Sequence, residues 1–140
     1  MHPIVAADFP DAPSWINEGI ASLFEAVVLA PHDEIHGVKN WRYPILRAAL
    51  DSPKGQGEAS LDTLFSLGDD RFRDAQESLH YALARYFCQW MDSRGELWAF
   101  YRTWRDRHVD DPSGRKTFEQ ITGMTVPEAT PLFARWVRRL

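Results

Sequence analysis

The chain predicts an all-α fold, one compact multi-helix domain over residues 1–140, and three observations carry that expectation. Apolar residues recur at intervals of three and four along most of the length. No stretch alternates apolar and polar residues as a half-buried strand does. Proline, glycine and Asp-Pro punctuation falls between the periodic runs. A length of 140 residues suits one core and buries roughly two thirds of the surface exposed by the unfolded chain.

The first helix is expected to begin after Asp11, with Pro13 in its first turn. Ile16, Ile20, Leu23 and Val27 line one face of it, and Pro31 stops it. A loop through Gly37 leads to a short helix over Trp41–Leu50, closed by Asp51-Ser-Pro and the glycine-bearing stretch 54–57. Another short helix covers Leu61–Leu67. The longest element runs from about Arg71 to Ser93, since Phe72, Ala75, Leu79, Leu83, Tyr86, Phe87 and Trp90 step by three and four. Gly95 breaks it. Leu97, Phe100, Tyr101 and Trp104 mark the next helix, which ends near the turn at Asp110–Gly114. Thr117 with Gln120, and Thr125 with Glu128, read as two capping boxes. The last helix packs Leu132, Phe133, Trp136, Val137 and Leu140.

Composition narrows the function classes. Hydrophobic residues at 44% and charged residues at 26% describe an ordinary globular chain, while six Trp and eight Phe imply a core dominated by large rings. A formal charge of -4, with bases interleaved among acids, gives no general attraction to nucleic acid. Arg135, Arg138 and Arg139 sit where they complement a helix C-terminus. The single cysteine, Cys88, has no disulfide partner in the chain and reads as a small buried hydrophobe. Neither a membrane-spanning run nor a signal peptide is visible, and compartment is left open.

The chemistry-bearing residues lie near the start. Glu18 stands in Trp15-Ile-Asn-Glu-Gly-Ile-Ala21, and His2 precedes it by sixteen positions. The intervening Asp8-Phe-Pro-Asp-Ala-Pro13 is long enough to turn the chain and bring a second helix alongside the first. Gly19 inside a helix costs about 1 kcal/mol against alanine, which points to a close helix approach, here expected from a metal-bearing neighbour.

These residues resemble the second half of the metal site in gluzincin zinc metallopeptidases of the peptidase-MA-like family. There a His-Glu-x-x-His helix supplies two zinc ligands and a glutamate on a second helix supplies the third. Met1-His2-Pro3 matches the last two positions of the first motif and a following proline; Asn17-Glu18-Gly19-Ile-Ala21 matches the third-ligand helix. Asn40-Trp-Arg, Tyr81-Ala-Leu-Ala-Arg-Tyr-Phe-Cys88, Asp111-Pro-Ser-Gly and Phe118–Gly123 resemble later parts of the same family, so the likeness extends over nearly the whole chain. It implies the C-terminal helical half of such a domain, with His2 and Glu18 as metal ligands. It also implies Tyr81 as a catalytic tyrosine supporting an oxyanion, zinc as cofactor, and a peptide or protein as substrate. The first histidine and the general-base glutamate have no counterpart from Met1 onward, nor does the β-rich subdomain that comes first in such enzymes. The resemblance therefore implies a truncated or degenerate domain, inactive alone, that binds zinc only where upstream residues supply the His-Glu pair.

Plainer readings stand beside these. A histidine near a chain end such as His2 is usually solvated, Glu18 reads also as one of an exposed stripe with Ser22 and Glu25, and Tyr81 reads more readily as a packing residue. His32-Asp-Glu-Ile-His36 echoes a zinc motif, but Pro31 and Gly37 leave room for one helical turn at most, so an exposed polar loop is expected there. The alternative function is a non-catalytic all-helical interaction or scaffold module. In either case the helix face left by the absent metal helix suits a homodimer.

Overall fold

The computed structural model describes residues 1–140 and is mostly helical, with ten α-helices and one two-stranded hairpin. In chain order these are α1 His2–Asp8, α2 Ser14–Leu23, β1 Val27–Leu29, β2 Ile35–Gly37, α3 Tyr43–Leu50 and α4 Gly55–Glu58. They are followed by α5 Leu61–Ser66, α6 Asp69–Phe72, α7 Glu77–Ser93, α8 Leu97–Arg107, α9 Arg115–Thr122 and α10 Val126–Arg138. One apolar cluster of 32 buried residues runs from Val5 to Val137. No helix is long and apolar enough to cross a membrane.

The central element is α7. Every residue from Ala82 to Met91 is buried, so the helix is enclosed on all sides rather than lying at the surface on one stripe. Its closest neighbour is α2, and Gly19 makes that approach possible. A Cβ on Gly19 would stand 2.8 Å from the Ala84 carbonyl oxygen and 2.9 Å from Cys88 Sγ. The close approach read from Gly19 is thus made to α7, not to a metal-bearing helix.

Rings fill the middle as the composition implies. Trp15 stacks on Trp104 at 5.4 Å, and Phe65, Phe87, Phe100 and Phe118 meet around them. Trp104 satisfies its indole N–H on the Asp111 carbonyl at 2.8 Å. Gly114, at φ 79°, lies against the same indole, where a Cβ would come within 2.7 Å of the ring.

Four local expectations change. The helix expected up to Pro31 ends at Leu23, and β1 pairs antiparallel with β2 in the register Val27–Gly37, Val28–His36, Leu29–Ile35. The β-branched pair Val27-Val28 favours extended backbone, and a tight reversal with His32 and Asp33 at φ 70° and 61° closes the hairpin. The long helix starts at Glu77 instead of Arg71, because Asp74 Oδ1 accepts the Gln76 N–H at 2.7 Å and turns the chain between α6 and α7. The Thr125–Glu128 capping box forms, but Thr117 lies inside α9. Its hydroxyl and its amide both donate to the buried Asp111 carboxylate at 2.7 Å, so Asp111 does the capping. Finally, residues 2–8 form a helix that apolar periodicity did not mark out.

Candidate functional site

The added helix α1 positions His2. Pro3 occupies its first turn, and Val5 and Phe9 are buried one helical turn apart. Phe9 packs against Tyr101, Trp104 and His108 of α8 and its end. Asp8 accepts from the Tyr101 hydroxyl at 3.0 Å and pairs with Arg105 at 2.8 Å. The Arg105 guanidinium holds the Asp8 carboxyl below its usual range, while burial and the neighbouring carboxylate push the Tyr101 phenol up to about 12. Anchored at this end, α1 lies across α2 and carries His2 over its outer face.

There His2 Nε2 stands 2.7 Å from Glu18 Oε2. The other carboxylate oxygen, Oε1, is 3.4 Å from the Arg73 guanidinium, which also donates to Ser14 Oγ at 3.0 Å. Glu18 is only 18% exposed at its side chain, and Ser22 is buried, donating to the Glu18 carbonyl at 2.7 Å. An exposed stripe of Glu18, Ser22 and Glu25 is therefore not what α2 presents. Tyr81 on α7 lies within electrostatic reach of Glu18. Its phenol is pushed up by burial first and by the Glu18 carboxylate second, and its ring packs on Phe72 at 4.8 Å.

The structure thus gathers the three sequence-selected residues, His2, Glu18 and Tyr81, from three different helices. Nothing in the sequence singled out Arg73: the periodicity places it inside the long helix expected from about Arg71, whereas it falls in the turn between α6 and α7. A second set of contacts ties the segments flanking the hairpin to each other and to α7. Asn40 Nδ2 and Arg42 both donate to Glu25, the Asn40 N–H donates to Tyr86 Oη at 3.0 Å, and Arg42 lies over the rings of Trp41 and Tyr81. The Asn40-Trp-Arg stretch is accordingly part of the wall beside Tyr81. Arg85, fully buried, donates to the Ser22 and Val38 carbonyls and fixes the start and end of the hairpin excursion.

The other histidine pair does not form a metal motif. His32 sits in the reversal and His36 in β2, where its ring bonds Asp92 at 3.0 Å and Glu34 at 3.2 Å. Cys88 is buried, and burial pushes its thiol far up.

The His2–Glu18 pair brings an imidazole nitrogen and a carboxylate oxygen face to face, two donor types that zinc also takes. No group of three or more His, Cys, Asp or Glu side chains is arranged to hold a metal ion. Among known protein families, characterised proteins and solved structures, none matches this chain.

Proposed function

We propose that residues 1–140 are the helical C-terminal half of a gluzincin-like zinc peptidase, in which His2 and Glu18 are two protein ligands and a histidine one helical turn ahead of His2 is the third. The observation that carries this reading is the 2.7 Å approach of His2 Nε2 to Glu18 Oε2, sixteen positions apart on two different helices. α1 is already helical at His2, so a histidine four residues earlier falls on the same face.

Zinc held there supplies Lewis acidity toward a scissile carbonyl and favours ionisation of water. The chain's own side chains have separable tasks. His2 offers Nε2 and Glu18 offers Oε2. Arg73 occupies the second Glu18 oxygen and fixes the carboxylate's orientation, as outer-shell partners of ligating carboxylates do. Tyr81, kept protonated by burial and by Glu18, is a hydrogen-bond donor suited to an oxyanion on a bound peptide.

The test is the chain extended by His-Glu-Ala directly ahead of Met1. One zinc per chain is expected to survive dialysis, and Glu18→Gln is expected to lose it while the far-UV circular dichroism of the helices stays unchanged. Full zinc occupancy in Glu18→Gln would remove Glu18 from the ligand set.

A second reading, the non-catalytic interaction module or homodimer, draws on the exposed apolar side chains Ile4, Leu29, Ile35 and Trp41.

A further inference from the structure

β1 is the outer strand of the hairpin, since β2 packs on α7 and is tethered there by the His36–Asp92 bond. Ladder bonds join Ala26 to Val38 at 2.9 Å and Ala30 to Glu34 at 2.8 Å, so Val28 and His36 are the hydrogen-bonded pair between them. The N–H and C=O groups of Val27 and Leu29 therefore point away from β2, and no turn, loop or side chain bonds them. Such an edge is a template for a further strand, and proteins usually blunt it with lysine, proline, an inward charge or a bulge. Val27-Val28-Leu29 has none of these, and all three residues are exposed, Leu29 at 77%.

The spacing of the free groups says what fits them. They lie symmetrically on either side of Val28, so an antiparallel copy of β1 centred on Val28 presents the same groups in reverse order. Val27 then exchanges two N–H···O bonds with Leu29 of the second copy, and Leu29 exchanges two with the second copy's Val27. Four bonds satisfy the outward groups of Val27 and Leu29 in both strands. Pro31, next in the outward series, has no N–H, and the ladder ends there.

The side chains agree with this register. Over residues 26–30 the facing pairs are Ala26 with Ala30, Val27 with Leu29 and Val28 with Val28, so no charge is taken out of water. Val27, Leu29 and Ile35 share one face of the hairpin and are all exposed, and the pairing joins them to their three counterparts in one apolar cluster. Backbone and side chains of β1 thus match their own copy together, as an isologous interface requires.

We propose that two copies of the chain join through β1, antiparallel about a two-fold axis at Val28, into a four-stranded sheet in the order β2, β1, β1, β2. The pairing rests on the homodimer reading and deepens it, and it does not depend on His2 and Glu18. A ladder this short lies at the low end of specific interfaces, under about 1,200 Å² in total, so the dimer is expected in the micromolar range.

The experiment is sedimentation equilibrium of the full chain across the micromolar range, with amide exchange in the hairpin followed over the same concentrations. A dimer is expected whose formation slows exchange at Val27 and Leu29. Leu29→Pro removes an N–H that carries no bond within the chain, and is expected to weaken the dimer about tenfold or more while the circular dichroism of the monomer stays unchanged. Leu29→Lys, on a side chain already exposed, is expected to act in the same direction. Val28→Cys is expected to link the copies by a disulfide on oxidation, since facing Cα atoms of a non-hydrogen-bonded pair lie about 4.5 Å apart and the native Cys88 is buried. A monomer at every concentration overturns the proposal together with the homodimer and leaves the edge to a strand of another protein. A dimer lost with Ile4→Lys but intact in Leu29→Pro and Leu29→Lys keeps the homodimer and overturns the strand pairing, as does a dimer without slowed exchange at Val27 and Leu29.

Discussion

At the scale of single residues, what decides the account is how closely side chains and backbone approach. Gly19 is the clearest case. Alanine normally gains about 1 kcal/mol over glycine inside a helix, but here the new Cβ would meet backbone at Ala84 and the sulfur of Cys88, neither of which yields cheaply. Gly19→Ala is therefore expected to destabilise the protein by about 1–3 kcal/mol in urea unfolding, against the sign that helix propensity gives. A neutral or stabilising effect would show that α2 and α7 are not in this contact. The glycine was legible in the sequence as a close-approach residue; its partner was not, because a missing side chain says that something comes near and not what. Glu18 was picked out by a resemblance alone. Its neighbours Asn17 and Gly19 pointed to it, whereas Arg73 became a partner only through the fold.

At the scale of elements, helices with long apolar periodicity were legible and short segments fixed by tertiary contact were not. α8 and α10 follow directly from their apolar spacing. By contrast α1 has seven residues and a single buried core residue within it, so its stability comes from Phe9 and Asp8 docking on α8. The hairpin was hidden for a related reason. Its six strand residues include Val28, Leu29 and Ile35, all exposed, and it has no alternating apolar face to announce it. What holds it is polar, and it carries a pH dependence. The hydrogen bond to Asp92, and then that to Glu34, raise the His36 pKa above histidine's ordinary 6.5. A raised folded-state value means that the stabilising contribution is fully present below pH 6.5 and is lost as pH rises through the folded pKa. Amide exchange in the hairpin, measured relative to α7, is expected to speed up across that window beyond the intrinsic effect of base. His36→Gln is expected to flatten the extra dependence. An identical profile in wild type and His36→Gln would contradict the assignment of the tether to the imidazolium.

At the scale of the whole molecule, the predominance of helix and the ring-filled core were readable from apolar spacing and from the unusual Trp and Phe content. The arrangement of the candidate site was not, since it depends on three helices converging and one of them is α1. The same convergence changes the expectation for self-association. α1 already covers part of the α2 face that a homodimer was expected to cover, leaving Ile4 and the hairpin residues as the exposed apolar surface. Sedimentation at micromolar concentration distinguishes the two readings of that surface. A dimer that dissociates on Ile4→Lys supports the interaction module; a monomer removes the homodimer.

The central claim is that His2 and Glu18 are two thirds of a zinc ligand set whose remaining histidine lies one helical turn ahead. The most direct measurement is the nucleotide sequence of the three codons immediately upstream of the Met1 codon, read in frame. The account predicts His-Glu-x, which completes His-Glu-x-Met-His on an extended α1. A stop codon, or three residues without that histidine, would contradict it and leave the 2.7 Å pair as an ion pair holding α1 to α2.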